Sequence, residues 1–180
     1  MRLEKKVAIV TGGGTGIGEA IAKTYAREGA TIAITGRRKN ELERVVNDIK
    51  QNGGQALALQ GSVTSESDVR EAVEATVRTC GRLDILVNNA GNLFYAGPLH
   101  ETPDKIWDET FDLFMKGPFR LIRAAIPHML KQGGGSILNI ATVVALKAIP
   151  NFEGYAYQVS KAGLVMLTKT VAMAYAKRHI

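Results

Sequence analysis

The sequence predicts an α/β domain: a doubly wound parallel sheet with helices on both faces. Three observations carry that expectation. Short apolar runs at 7–10, 31–35, 56–60, 84–87 and 136–140 have the length and branched content of buried strands. Stretches with apolar residues at helical spacing separate each run from the next. The first run passes through a glycine-dense turn, 11–18, directly into the first helix. Strands alternating with helices demand crossover connections, and crossovers pair strands in parallel and cover both faces of the sheet.

The elements follow in order. Val7, Ile9 and Val10 mark the first strand, and Ile17, Ala20, Ile21 and Tyr25 give the first helix its spacing. The second strand, 31–35, reads Thr-Ile-Ala-Ile-Thr. Asn40 with Glu43 has the pattern of a capping box, opening a helix with the stripe Leu42, Val45, Val46 and Ile49. Gly53 and Gly54 close it. After the third strand, Ser65 with Asp68 opens a helix carrying Val69, Val73 and Val77. The fourth strand ends in Asn88-Asn89-Ala90-Gly91. Thr102-Pro103 reads as a cap followed by proline at the first helical position. Helical spacing then runs to about residue 131, with a kink expected at Pro127, until three glycines at 133–135 break it. The fifth strand and a last helix, from about 155 to 177, complete what is expected to be one domain over 1–180. That helix carries Leu164, Leu167, Val171 and Tyr175 and ends without a glycine cap or proline. In such a sheet it should lead into another parallel strand, so the domain is expected to lack its last strands, with 137–140 left as an edge.

Composition excludes several function classes. Hydrophobic content of 46% with 22% charged residues is ordinary for a soluble globule, and no apolar run reaches membrane-spanning length. Residues 1–6 run straight into the first strand, which predicts no signal peptide and a cytoplasmic location. The single cysteine, Cys80, permits no internal disulfide and fits a reducing compartment. His100, His128 and His179 lie far apart, so no metal site is expected. The net charge of +6 raises nucleic-acid binding. The longest basic run, Arg37-Arg38-Lys39, has no interleaved aromatic residues, so a solvated surface or a phosphate contact is the better reading.

Function begins at the glycine turn. Residues 11–18 hold five glycines in eight positions between a strand and a helix. Glycine lets an anion approach the backbone amides, and the helix N-terminus offers free N–H groups. A P-loop would need Lys-Ser/Thr after Gly18, where Glu19-Ala20 stands, and G-x-G-x-x-G does not fit cleanly either. What stands is Thr11-Gly12-x-x-x-Gly16-x-Gly18, a dinucleotide site by its placement. About 20 residues further on, where an acid would hold a ribose 2′-hydroxyl, the chain reads Thr35-Gly36-Arg37-Arg38. Guanidinium suits a 2′-phosphate, so NADP(H) is expected over NAD(H), which remains possible. Tyr157 and Lys161 are four apart on the last helix and share a face. An ammonium beside a phenol favours the phenolate, which equips the pair for proton transfer to a carbonyl or from an alcohol. Thr142, at the end of the fifth strand, could offer its hydroxyl to the same oxygen.

In this combination and order, the glycine motif, Asn88-Asn89-Ala90-Gly91 and Tyr157-x-x-x-Lys161 resemble the short-chain dehydrogenase/reductase family over the whole chain. The likeness is greatest to 3-oxoacyl-carrier-protein reductase-like members, and 88–94 also resembles the 2,4-dienoyl-CoA reductases. The resemblance implies a Rossmann-type fold, a small carbonyl or alcohol substrate, and a homo-oligomer, dimer or tetramer. It implies cofactor contacts from Thr11, Gly12, Gly14, Thr15, Gly16, Ile17 and Gly18, from Arg37, Arg38 and Val63, from Asn89, Ala90 and Gly91, and from Tyr157 and Lys161. Tyr157 would be the proton donor, Lys161 its helper and ribose ligand, and Thr142 the substrate-orienting hydroxyl.

The chain departs from the family pattern at several places. Thr142 stands for a serine, and the segment from Thr142 to Tyr157 is slightly longer than usual. Ser62, before Val63, stands for an adenine-side aspartate. Phe114 stands for a catalytic asparagine and, with Trp107 and Phe111 at helical spacing, reads as core packing. The expected activity is hydride transfer between NADP(H) and a carbonyl or secondary alcohol, with no nucleic acid or membrane involved. Enoyl- or dienoyl-thioester reduction and a nucleotide-binding relic with little turnover are the alternatives.

Overall fold

Every residue of the first strand is buried, and that strand is the centre of the sheet. The computed structural model describes residues 1–92 and 97–180. Strand β1 (Val7–Thr11) pairs in parallel with β2 (Thr31–Gly36) on one side and β4 (Ile85–Asn88) on the other. Strand β3 (Gln55–Gln60) extends the sheet beyond β2, and β5 (Ser136–Asn139) extends it beyond β4. The order is β3-β2-β1-β4-β5, all parallel. Alternation along each strand divides the core into two layers. Helices α1 (Gly16–Arg27) and α2 (Lys39–Gln51) close one around Val10, Ile32, Ile34, Leu42 and Val45. Helices α3 (Glu66–Cys80), α5 (Gly117–Gln132) and α6 (Tyr155–Tyr175) close the other around Ile9, Leu86, Leu121 and Met129. The doubly wound fold is therefore as expected. The chain leaves β1 toward β2 and later crosses to β4, which opens a crevice at the carboxyl ends of β1 and β4.

Strand β5 lies at the edge of the sheet, and 137–140 are half-buried. Helix α6 packs Leu167, Val171 and Tyr175 on the second layer, then ends in a 3₁₀ turn, Ala176–Arg178. His179 follows at φ 59° and accepts the Gly135 N–H at 3.0 Å. Among the described residues no helix is long and apolar enough to cross a membrane.

Four local expectations are corrected. Helix α2 begins at Lys39, so Asn40 falls inside its first turn and caps nothing. Helix α4 (Asp104–Phe111) is flanked by Pro103, while the Thr102 hydroxyl donates to the Pro98 carbonyl at 3.2 Å. Thr102 closes the turn before the helix instead of capping it. On α1, Gly18 and Ala22 face the interior, Ile21 and Tyr25 are half-buried, and Ile17 is 63% exposed. The helix N-terminus abuts the crevice, so its first apolar side chain points there. The helical stretch 104–132, expected to be continuous up to Pro127, is interrupted earlier, at a π-helical segment, Asp112–Lys116. Such segments are rare and gather at functional sites.

Candidate active site

The crevice is a cleft of about 690 Å³ at the carboxyl ends of the strands. Beneath its wall of Gly12, Asn89 and Ala90 lies Thr11, itself buried. The Thr11 hydroxyl accepts the N–H groups of Asn89 and Ala90, both at 2.9 Å, and donates to the Val87 carbonyl at 3.3 Å. The Asn89 amide returns a hydrogen bond to the Thr11 carbonyl at 2.9 Å. One threonine thus ties the end of β1 to the end of β4 and joins the two sequence motifs into one surface.

The glycines lie against that surface. A Cβ at Gly18 would sit 2.2 Å from the Gly12 carbonyl oxygen, and one at Gly12 would sit 3.0 Å from Ala90 Cα. Gly12 and Gly16 also hold φ at 65° and 57°, which glycine adopts without strain. The backbone is therefore exposed toward the cleft at the start of α1, where its unpaired N–H groups favour an anion. Thr15, Ile17, Arg37, Arg38, Val63 and Gly91 all line the cleft. Arg38 donates to the Thr15 hydroxyl at 3.0 Å, while the Arg37 side chain is exposed on the wall beside it. These residues fit a phosphate-bearing dinucleotide: a cradle that side chains would fill, a helix N-terminus, and two guanidiniums at one end.

Ser62 does not leave its corner without a carboxylate. Asp68, from the first turn of α3, accepts the Ser62 N–H at 2.9 Å, and the Ser62 hydroxyl meets Thr64 Oγ1 at 2.8 Å. The Ser62 N–H first, and then the Ser65 and Ser67 hydroxyls, hold the Asp68 carboxyl below its ordinary range. Its reach across six residues left no periodic trace in the sequence.

The second part of the site hangs on α6. Lys161 is buried, and its ammonium donates to the Ile140 carbonyl at 2.5 Å. Ile140 in turn donates its N–H to the Asn88 carbonyl at 2.9 Å. An amide ladder runs behind it: Asn88 Nδ2 to Asn139 Oδ1, then Asn139 Nδ2 to Thr168 Oγ1, each 2.8 Å. The ladder fixes α6, and with it Lys161, against β4 and β5. Burial pushes the Lys161 ammonium down to about 8.

Tyr157 lies on the same face, its ring centroid 6.0 Å from the Lys161 nitrogen. Two aromatic residues enclose it. Phe114, in the π-helical segment, meets its ring edge-on at 4.9 Å, and Phe152, from the long segment before α6, lies 6.4 Å away. The Phe114 ring also sits 4.9 Å from the Lys161 nitrogen and 3.0 Å from where a Gly91 Cβ would be. Phe114 is buried as core packing requires, but it packs on the Tyr157–Lys161 pair, while Trp107 and Phe111 stack on each other at 5.0 Å. Its helical spacing carried no sign of that location. Thr142 is half-buried beside a 3₁₀ turn, Val143–Ala145, and no hydrogen bond joins its hydroxyl to Tyr157 or Lys161 among the described residues. Phe94, at the end of the 88–94 likeness, lies outside the described residues. Among the described residues no three His, Cys, Asp or Glu side chains gather as a metal site.

Comparison with known proteins extends this geometry. Over 175 residues the chain is 41% identical to an uncharacterized oxidoreductase of Thermotoga maritima, covering 97% of this chain and 68% of the relative. It is 37% identical over 180 residues to a 3-oxoacyl-(acyl-carrier-protein) reductase of the same organism, covering all of this chain and 72% of that one. Human dehydrogenase/reductase SDR family member 4 is 35% identical over 181 residues, with 99% and 63% covered. The chain thus spans 63% to 72% of the length of these relatives. Among solved structures, a metagenomic short-chain oxidoreductase in complex with NADP superposes with a TM-score of 0.92 at 31% identity, over 99% of this chain and 80% of that one. A 7α-hydroxysteroid dehydrogenase complexed with NADH and 7-oxo glycochenodeoxycholic acid superposes with a TM-score of 0.94 at 34% identity, over 99% and 69%. Residues 6–180 match the short chain dehydrogenase family profile, and the chain belongs to this family of NAD(P)-dependent oxidoreductases acting on CH–OH and C=O groups.

Proposed function

We propose that this chain, acting as one domain over 1–180, interconverts a carbonyl and a secondary alcohol with NADP(H). The carrying observation is that the Thr11-anchored glycine cradle and the Tyr157–Lys161 pair meet at the carboxyl end of one sheet. Bound NADPH supplies the hydride. The residues of the cradle, Gly12, Gly14, Thr15, Gly16, Ile17 and Gly18, hold the pyrophosphate side with Asn89, Ala90 and Gly91, and Val63 walls the adenine end. Arg37 and Arg38 take the 2′-phosphate. Tyr157 gives its phenolic proton to the substrate oxygen, and the Lys161 ammonium favours the phenolate left behind. The Thr142 hydroxyl orients that oxygen. The Phe114 and Phe152 rings keep water from the flanks of Tyr157. A cytoplasmic location and a homo-oligomer belong to the same proposal.

The test is NADPH oxidation against a panel of ketones, aldehydes and 3-oxoacyl thioesters. Turnover that is lost in Tyr157→Phe supports the reading. Turnover confined to enoyl or dienoyl thioesters supports the reduction of a carbon–carbon double bond instead. One observation favours a binding protein with little turnover: Phe114 places a ring, which offers no side-chain hydrogen bond, against Lys161. NADPH binding without turnover of any panel member would establish that second reading.

A further inference from the structure

We infer that Arg44 sets cofactor selectivity by neutralising the Glu41 carboxylate on the wall of the cleft. The inference rests on the NADP(H) reading. No acid stands at Arg37 or Arg38, yet the cleft is not free of carboxylates at that end. Glu41, in the first turn of α2, lines the same wall as the two arginines. Its Cβ lies 3.1 Å from where a Cβ on Gly14 would be, so it packs directly on the glycine loop. Glu19, in the first turn of α1, is a second carboxylate within reach of the same side chain.

Arg44, one turn after Glu41, bridges both. Its Nε donates to Glu41 at 3.2 Å, and its two terminal nitrogens donate to the two oxygens of Glu19 at 3.0 and 2.7 Å. The second terminal nitrogen also donates to the Gly14 carbonyl at 3.0 Å. Lys23 supports Glu19 from behind at 2.7 Å and pairs with Asp48. These contacts, the Arg44 fork first, hold the Glu19 carboxyl down at about 2, so it is ionised at any working pH.

A carboxylate near the end of the second strand accepts a ribose 2′-hydroxyl and repels a 2′-phosphate, which carries close to two negative charges. Glu41 lines the same wall as Arg37 and Arg38, and its carboxylate is engaged by Arg44. With Arg44 removed, Glu41 faces the 2′-substituent uncompensated. The Gly14 tether, by contrast, positions the loop for either cofactor. Arg44 is therefore a positioning residue with two separable effects: one common to both cofactors through Gly14, one selective for the 2′-phosphate through Glu41.

The experiment measures Kd for NADPH and NADH on the unmodified protein, Arg44→Met, Glu41→Gln, the double variant and Arg44→Lys, with thermal melts to confirm folding. Arg44→Met is expected to lower the NADPH preference by about tenfold, the equivalent of a 1.4 kcal/mol change. Adding Glu41→Gln should restore the preference while leaving any common loss in place, and Arg44→Lys should fall between. A preference unchanged by Arg44→Met, or a loss that Glu41→Gln does not reverse, overturns the inference. An unmodified protein that binds both cofactors equally overturns the NADP(H) reading. In that case a ratio still moved by Arg44→Met and reversed by Glu41→Gln sustains the role of Arg44, and an unmoved ratio removes both.

Discussion

The ring of Phe114 lies 4.9 Å from the Lys161 ammonium and meets the Tyr157 ring edge-on at the same distance. An aromatic face offsets part of the cost of burying an ammonium. Phe114→Leu keeps most of the volume and should cost less than about 1.5 kcal/mol of stability, against about 3–5 kcal/mol for Phe114→Ala. The Leu variant still loses the ring under Lys161. Its kcat should fall while Kd for NADPH holds, and an unchanged kcat would leave Phe114 a packing residue. Phe114→Asn offers a side-chain hydrogen bond in a site that is 3% exposed, at about 1–3 kcal/mol if its amide is unpaired. A rise in kcat despite that cost would show that a side-chain relay to Lys161 limits the unmodified chain.

Lys161 makes stability depend on pH. Its folded value of about 8 lies below the ordinary 10.5. Below 8 both states hold the proton, and the buried charge opposes folding. Between 8 and 10.5 the unfolded chain holds a proton that the folded chain has released, so the unfolding free energy rises with pH. Denaturant titrations of the protein without cofactor should show this rise, and Lys161→Met should lack it. Equal pH dependence in both proteins would show that Lys161 is not desolvated.

Thr11 joins two motifs that lie 77 residues apart at Asn88. Thr11→Val preserves shape but strands the Asn89 and Ala90 N–H groups that the hydroxyl accepts. A loss of about 1–3 kcal/mol is expected, with weaker NADPH binding, read by denaturation and fluorescence titration. A fully stable variant with normal affinity would mean the loop is held elsewhere.

The sheet was legible because each strand is a short buried run, and local pattern suffices to mark it. The Thr11–Gly18 and Asn88–Gly91 surfaces were legible because glycine and asparagine at a strand end have few other uses. Arg44 was not: it is one of three charged residues on an exposed helix turn, and its partners Glu19 and Gly14 lie 25 and 30 residues away. The spacing of Phe114 with Trp107 and Phe111 marked only a buried ring; that it faces Tyr157 and Lys161 was hinted at by the asparagine position it fills in the family resemblance alone. Asn40 and Thr102 misled because a shift of one or two residues in helix start turns a cap into an ordinary position.

Arg37 tests the cofactor assignment independently of Arg44. Arg37→Asp places a carboxylate where the cleft wall holds a guanidinium. It should weaken NADPH binding far more than NADH binding, by about tenfold or more in the ratio, measured by titration of each. Equal weakening of both would mean that Arg37 does not meet the 2′-phosphate.

The central claim is that Tyr157 carries the proton, and one variant tests it most directly. Tyr157→Phe keeps the ring that Phe114 and Phe152 enclose and removes only the hydroxyl. Once a substrate is found, its turnover should fall by about 100- to 10,000-fold, the usual worth of a positioned acid or base, while Kd for NADPH stays within about twofold. Near-normal turnover in that variant would contradict the account, and would point first to Tyr155, two residues earlier at the start of the same helix.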